Sequence, residues 1–490
     1  MYPQERERLD AITIPSGHDV ELACFGLVDL TYSQYNGDPY EVAGPSQLPE
    51  YADPRLRRLD ISHWTQVEVS DSWTAQALSL YLVTDHAVAT LIDADLFIRD
   101  LVEKQTVFCS RLLVSSLMFW ASQGMSQFDR KASVISYAFL QEARQILLEG
   151  QEDSLLTAAA LQYLCIGCTG TADDGLAMQF LMEGKAMAES LRSAHAHELV
   201  PEHPPYLPIP GDEDDEEDDV SSFPLPPYMG MTFTMLCHFW RIVNTFTRSY
   251  YRSDSSISLK ERASISAAES TYQKLMSWTD SIADYFAQGE LSPHHVGIFL
   301  IFYHTTVIDI FRPFQDNKDL KLQSFAYSES TPQAVIEASL CQLKHLVLAF
   351  PLRYPAAAYS ILWHPVCLYV ANAVLNVSPT EAQSLRRDQK QAHRRLFLLC
   401  VHGYQTIAGA YKLAVVILKA LLEVAIGAKI VTTPEARQIL LRASHNGRHW
   451  SWTNEEQSSS LKVDLAQAMI DPKSADIASL VTEFDQRASL

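Results

Sequence analysis

Apolar residues recur at spacings of three and four along most of this chain, and this period constrains the fold more than any other feature. Such spacing places the apolar side chains on one face of an α-helix. The rows begin near Asp71 and continue to about Ile430, whereas the period-two alternation of half-buried strands is almost missing. The stretch Leu155–Cys168 is apolar on nearly every face, which indicates a buried helix. The sequence therefore predicts an all-α fold made of many helices.

Capping and turn residues predict where several of these helices begin and end. Asp71 or Ser72 is expected to cap the first helix, and Gly150 is expected to stop a later one at its carboxyl end. Further helices are predicted at 331–350, 355–378 and 380–430. The last of these is long, and we expect it to break near Gly403 or Gly409.

Composition divides the chain into three parts. Residues 1–58 are rich in Pro, Gly, Tyr and acids and are predicted to form a loosely ordered lead-in, and residues 59–440 are predicted to form the helical domain. Residues 441–490 are predicted to form a polar C-terminal tail in which Trp450 and Trp452 are the bulky anchors.

An acidic, proline-rich segment at 199–227 interrupts the helical domain. Its unbroken run Asp212–Asp219 carries like charges that repel one another and resist burial, so we expect an exposed, disordered loop. The net charge of −21 also argues against direct nucleic-acid binding, which depends on Lys and Arg. The short basic clusters at 55–58 and 393–395 are interpreted as solvated helix ends or faces.

Eight cysteines are scattered among apolar residues, which indicates reduced, buried thiols and not a disulfide framework. The polar start of the sequence predicts no signal peptide. The apolar stretches Tyr411–Ile430 and Ile361–Val377 contain charged or polar residues, so the sequence predicts no membrane span. We therefore expect an intracellular protein without membrane contact.

Two groups of residues suggest metal or redox chemistry, and each has a simpler interpretation. Cys165 and Cys168 form a C-x-x-C pair, but the pair ends an apolar helix instead of beginning one, which favours buried core thiols. A His/Glu cluster could bind zinc, yet Pro201 interrupts it, which favours solvated loop residues. The members of that cluster are His195, His197, Glu198, Glu202 and His203.

Tyr303 and His304 could act as an acid–base pair. The chain lacks the G-x-S-x-G, G-x-x-x-x-G-K-[ST] and G-x-G-x-x-G motifs, so His304 is interpreted as a hydrogen-bonded packing residue. Arg312 is expected to end its helix before Pro313 and to pair with an acid such as Asp309. We therefore predict no catalytic, cofactor-binding or metal-binding residues, and a protein that is not an enzyme.

Two segments, 61–102 and 292–314, carry ordered sets of residues that resemble one known family. The sets are Trp64, Thr65, Val67, Tyr81, His86, Asp93, Phe97, Asp100 and Leu101, then Tyr303, His304, Ile308, Ile310, Arg312, Pro313 and Phe314. They resemble the regulatory domain of fungal binuclear zinc-cluster (six-cysteine) transcription factors. One departure is Ala87, which stands where that family has proline.

The resemblance implies a helical fungal-specific transcription factor domain that regulates RNA polymerase II transcription in the nucleus. It implies partners among the transcription machinery or co-regulators, and homodimers or heterodimers. The zinc ions of the family belong to a six-cysteine DNA-binding module, and this sequence has only Cys24 before residue 100. We therefore expect no cofactor in this chain and contact with DNA only indirectly or through an N-terminal module missing from this sequence. The alternative is an all-α enzyme or small-molecule-binding protein with a buried site between helices.

Overall fold

The computed structural model describes residues 51–195, 232–250, 259–282, 293–317, 320–323, 331–377, 386–446, 461–471 and 474–489. Within these ranges the secondary structure is helical and no strand forms, apart from one antiparallel bridge between Lys462 and Asp476. The predicted all-α fold is confirmed.

The first described range contains the helices that precede the acidic segment. They are α1 (Asp71–Tyr81), α2 (Ala94–Glu103), α3 (Arg111–Met125), α4 (Ala132–Leu148), α5 (Leu155–Gly170) and α6 (Asp174–His195). Ser70, and not the predicted Asp71 or Ser72, caps α1, because its hydroxyl oxygen accepts a hydrogen bond from the amide of Trp73. Gly150 follows α4 with a φ of +90°, so the predicted helix stop is confirmed.

The remaining ranges contain the later helices. They are α7 (Thr232–Tyr250), α8 (Leu259–Arg262), α9 (Ile265–Ser281), α10 (His294–Phe311), α11 (Pro332–Arg353), α12 (Pro365–Leu375), α13 (Arg387–Ile407), α14 (Lys412–Gly427), α15 (Thr433–Asn446), α16 (Gln467–Ile470) and α17 (Ile477–Ser489). The predicted long helix breaks between Ile407 and Lys412, beside Gly409, as expected.

The first of two hydrophobic cores is built from residues between Leu56 and Phe180. Helix α5 lies between α3 and α6, and most of its residues are buried or half-buried, although Leu155 at its start is exposed. At Gly167 the backbone of α5 comes so close to α3 that an added Cβ would lie 2.4 Å from the ring of Phe119. A glycine at this position therefore sets the distance between the two helices.

The second core is formed mainly by the helices after residue 232, although gaps in the described chain separate several of them. Helix α10 packs on α11, α12 packs on α13, and α14 packs on α17. Phe350 and Trp363 stack at its centre, with ring centroids 5.1 Å apart. The core extends from Met235 to Phe484 and also takes in Val88 and Ala172 from the first half of the chain.

Two of the described helices are long and apolar enough to cross a membrane, by length and composition alone. They span His294–Phe314 and Pro332–Arg353, and neither coincides with the apolar stretches Tyr411–Ile430 and Ile361–Val377. Buried helices of a protein core pass the same test, and these two pack against each other within the second core. They therefore give only weak evidence of membrane contact.

Residues 51–58 differ from the predicted loose lead-in. They form a short 3-10 helix, Pro54–Arg58, whose Leu56 is buried in the first core. Arg55 pairs with Asp53 and Asp95 at 2.8 Å in each case, so it joins this turn to α2. The prediction of a loose lead-in is therefore wrong for residues 51–58, and residues 1–50 lie outside the described chain.

The predicted polar tail is also wrong for residues 461–489. Val463 and Phe484 are buried in the second core, and α17 packs along α14. Asn372 of α12 holds the segment before α16, because its side chain donates to the carbonyl of Val463 at 2.8 Å and accepts from the amide of Leu465 at 2.9 Å. Trp450, Trp452 and the acidic segment 199–227 lie outside the described residues.

Replacing Gly167 with alanine is expected to lower the melting temperature. Overpacking a buried contact costs about 1–3 kcal/mol, which exceeds the gain of up to about 1 kcal/mol that alanine has over glycine in a helix. Gly427→Ala is the matched control, because a Cβ at that helical position meets no atom within 4 Å. Thermal unfolding of both variants checks this, and equal melting temperatures would contradict the close approach of α5 to α3.

Replacing Phe484 with alanine is expected to reduce the free energy of unfolding by about 3–5 kcal/mol, because this buried ring leaves a cavity between α14 and α17. Phe484 is 1% exposed, whereas Ile470, in the same part of the chain, is 75% exposed. Ile470→Ala is therefore expected to change stability by less than about 0.5 kcal/mol. Denaturant unfolding measures both, and a neutral Phe484→Ala would mean that α17 does not belong to the core.

Candidate functional site

Helix α1 continues into a single π-helical turn, Leu82–His86, instead of ending. Turns of this kind are rare and frequently occur at functional sites. This one directs Thr84, Asp85 and His86 toward three different sets of partners, and all three residues are buried. The polar side chains around it form the candidate site.

On one side of the turn lies a chain of neutral hydrogen bonds. The hydroxyl of Tyr81 lies 2.9 Å from Nδ1 of His86 and 2.6 Å from the hydroxyl of Tyr163. Burial lowers the pKa of His86 to about 4 and raises the pKa of both tyrosines. These groups are therefore neutral at pH 7, which suits a structural network better than proton transfer.

On the other side, Asp85 is an acid buried between the two cores. Its Oδ2 accepts a hydrogen bond of 2.9 Å from the indole nitrogen of Trp120, while its Oδ1 has no hydrogen-bond partner among the described residues. The side chain is only 4% exposed. Burial raises the pKa of Asp85, and the nearby Ser360, Trp120 and Thr84 act in the opposite direction without cancelling the effect.

A small cavity adjoins the Asp85 carboxyl. Its volume of about 10 Å³ holds the centre of one water molecule. The first core contributes Leu80, Tyr81, Thr84, Asp85, Trp120, Ala121 and Gly124 to its walls, and the second half of the chain contributes Ala356, Tyr359, Ser360 and Tyr411. The cavity therefore lies where the two halves of the molecule meet.

A direct hydrogen bond crosses the same junction. Nε2 of His294, at the start of α10, donates to the carbonyl oxygen of Thr84 at 2.8 Å. A π-helical turn leaves backbone carbonyls without the usual helical partner, and here another helix satisfies one of them. Thr84 and Asp85 together connect the first core to the second.

The C-x-x-C pair lies where the sequence predicts it, in the last turns of α5. Cys168 is buried and Cys165 is half-buried, and burial raises the pKa of both thiols. A raised pKa disfavours the thiolate that redox chemistry and metal binding require. No disulfide joins the cysteines within the described ranges.

Tyr303 and His304 do not reach the Asp85 site. Nδ1 of His304 lies 3.4 Å from the hydroxyl of Ser339 on α11, and burial lowers the pKa of His304 to about 4. This placement agrees with the packing role predicted for His304, although the hydrogen bond is long.

Arg312 pairs with Asp309 at 2.8 Å, which confirms the predicted ion pair. Tyr369 of α12 extends the pair, because its hydroxyl donates to Asp309 at 2.7 Å while its ring lies under the guanidinium of Arg312. The contacts of Tyr369 with Asp309 and Arg312 therefore connect the end of α10 to α12.

The proposed His/Glu cluster falls almost entirely outside the described chain. His195 is the last residue of α6, and the positions from 197 to 203 lie in the gap that follows. In the part of the chain that the structure covers, no three His, Cys, Asp or Glu side chains are arranged to hold a metal ion. The expectation of no cofactor stays a prediction.

Sequence reasoning missed Asp85 and also a groove on the surface of the first core. The only signal for Asp85 was a lone carboxylate in the apolar run from Leu80 to Val88. The groove has a volume of about 400 Å³ and opens to solvent between α4, α5 and α6. Its lining residues are Leu147, Gln151, Asp153, Thr157, Leu161, Glu183, Ala186 and Met187.

Comparisons of this chain with models of known protein families, with curated proteins and with solved structures find no match.

Replacing Asp85 with asparagine is expected to raise the melting temperature at pH 7. The raised pKa of Asp85 means that the folded state binds its proton more tightly than the unfolded state. Its stabilising contribution is therefore complete in acid and is lost as the pH rises through the folded pKa. Asparagine has no charge to bury and keeps an oxygen that can accept from Trp120.

Melting temperatures measured between pH 4 and pH 8 check this, and the advantage of Asp85→Asn should shrink toward acid. The control is Glu261→Gln, which alters an exposed carboxylate on α8 and should leave the pH profile as in the parent. A variant Asp85→Asn that melts lower than the parent at pH 7 would show that the ionised carboxylate stabilises the junction.

Proposed function

We propose that this chain is a regulatory domain of the zinc-cluster transcription factor type, which controls RNA polymerase II transcription in the nucleus through protein partners. The observation that carries the proposal is the resemblance of two segments to that family, together with the way these segments pack. The two segments are far apart in sequence and come into contact in the described fold.

Within the first segment, contacts join its beginning to its end. The indole nitrogen of Trp64 donates to the carbonyl of Leu101 at 2.9 Å, and Phe97 is buried in the same core. Asp93 caps α2, and Asp100 accepts a hydrogen bond of 2.7 Å from the amide of Phe108. If the resemblance were due to chance, its residues would not be expected to pack together. These contacts therefore support the resemblance.

The two segments also touch each other. His294 lies in the second segment, and it bonds to Thr84 of the first across the junction of the two cores. A domain whose halves meet through a buried polar contact can transmit a change on one half to the other. This arrangement suits a regulator that responds to a partner or effector.

Contact with DNA is assigned to another polypeptide segment or to a partner. The sequence contains no run of six spaced cysteines, and its net charge of −21 opposes binding to phosphates. The zinc ions of the family would belong to that six-cysteine module and not to the described helices.

The alternative, a small-molecule-binding protein or enzyme, needs a buried site between helices, and the described junction of the two cores does not provide one. The cavity at the junction admits one water molecule and not a metabolite. Burial raises the pKa of the tyrosines that line it, Tyr81, Tyr359 and Tyr411, so these groups are neutral at pH 7.

Tethering the full chain to an unrelated DNA-binding module tests the proposal. We expect reporter transcription to change by several-fold relative to the module alone, and to change again when residues 212–219 are deleted. The control is Trp64→Ala, which removes a buried anchor of the first segment at a cost of about 3–5 kcal/mol and should abolish the effect. Unchanged reporter output from the stably expressed parent chain would overturn the proposal.

A further inference from the structure

We propose that the groove between α4, α5 and α6 binds an amphipathic helix of a partner protein, with apolar residues on one face and Lys or Arg beside them. This inference deepens the proposed function, because it assigns a surface and a partner class, and it rests on that function only for the partner's role in transcription.

The floor of the groove is apolar and already formed. Leu147, Leu161 and Met187 line it from three different helices. Helices α5 and α6 touch closely here, since a Cβ on Gly184 would lie 2.7 Å from Nε2 of Gln162. A groove whose walls are fixed by close helix packing needs little rearrangement to accept a ligand.

An exposed apolar row leads into the groove along α6. Met178, Met182 and Ala186 recur at intervals of four and therefore lie in one row on the helix surface. Ala186 lines the groove, while Met178 and Met182 are largely exposed outside it. Apolar rows beside a groove are typical of surfaces that receive a helix, and methionine adapts readily to different partners.

The rim of the groove is acidic, and this selects the charge of the partner. Two of the described lining residues, Asp153 and Glu183, are carboxylates, and none is basic. The exposed Glu149 and Glu152 add to this charge from the turn between α4 and α5. Lysine or arginine on a partner helix would complement them and would speed its association.

The same charge argues against two other occupants. The run Asp212–Asp219 of this chain has the wrong sign for an acidic rim. A second copy of the chain carries the same net charge of −21, so two copies repel each other before they meet. A basic helix from a different protein is the occupant that the surface fits best.

The test uses the full chain and two synthetic amphipathic helices of about five turns. Both have leucine on one face, and the polar positions are lysine in one peptide and glutamate in the other. We expect the lysine peptide to bind, and to slow amide hydrogen exchange at residues 147–161 and 183–187. The glutamate peptide should do neither.

Two variants with a matched control locate the binding. Met182→Lys should weaken binding of the lysine peptide by about fivefold or more, because it removes apolar contact and adds a like charge. Leu352→Lys is the control, since Leu352 is 50% exposed on α11 and Met182 is 54% exposed. The double change Asp153→Asn and Glu183→Gln should weaken binding by roughly threefold and reduce its salt dependence.

The outcomes separate the alternatives. Equal binding of both peptides, or no binding of either, would overturn the assignment of a basic partner helix. Protection of the groove that rises with protein concentration in the absence of peptide would assign it to a second copy instead. Peptide binding is measured without transcription, so its failure is distinct from an unchanged reporter in the tethering experiment.

Discussion

The contact between the π-helical turn and the second half of the chain is a buried polar link between the two cores of the described molecule. Most apolar side chains are buried within one core, but the polar groups of Thr84 and Asp85 in the first half of the chain are partly surrounded by residues of the second half. The carbonyl of Thr84 is satisfied by His294, whereas the carboxyl of Asp85 is only partly satisfied by Trp120. An incompletely paired buried acid opposes folding, so its retention at this place is a cost that the surrounding apolar packing outweighs.

Local patterns in the sequence predicted those features that local physics decides. The nearly continuous apolar run located α5, the glycine at 150 ended α4, and Gly409 marked the break between α13 and α14. Arg312 and Asp309 are three residues apart on a helix, so their pairing also followed from spacing. In each case the interacting groups are neighbours along the chain.

The features that were missed depend on distant contacts. No local pattern shows that α1 gains an extra residue in its last turn, or that Ser360 and Tyr411 will lie beside Asp85. Residues 461–489 were assigned to a polar tail, yet Phe484 and Val463 meet a surface that α14 and α12 provide. The groove was invisible for the same reason, since three helices are needed to form it.

The two cores also differ in the order in which the cell can make them. The first uses residues 56–180, so it can close while the later helices are still on the ribosome. The second includes Val463 and Phe484, so its packing waits until nearly all of the given sequence has emerged. During that interval the face of the first core around Thr84 remains exposed to solvent, because the second core has not yet packed against it. A chaperone that shields nascent apolar surface would have its longest opportunity there.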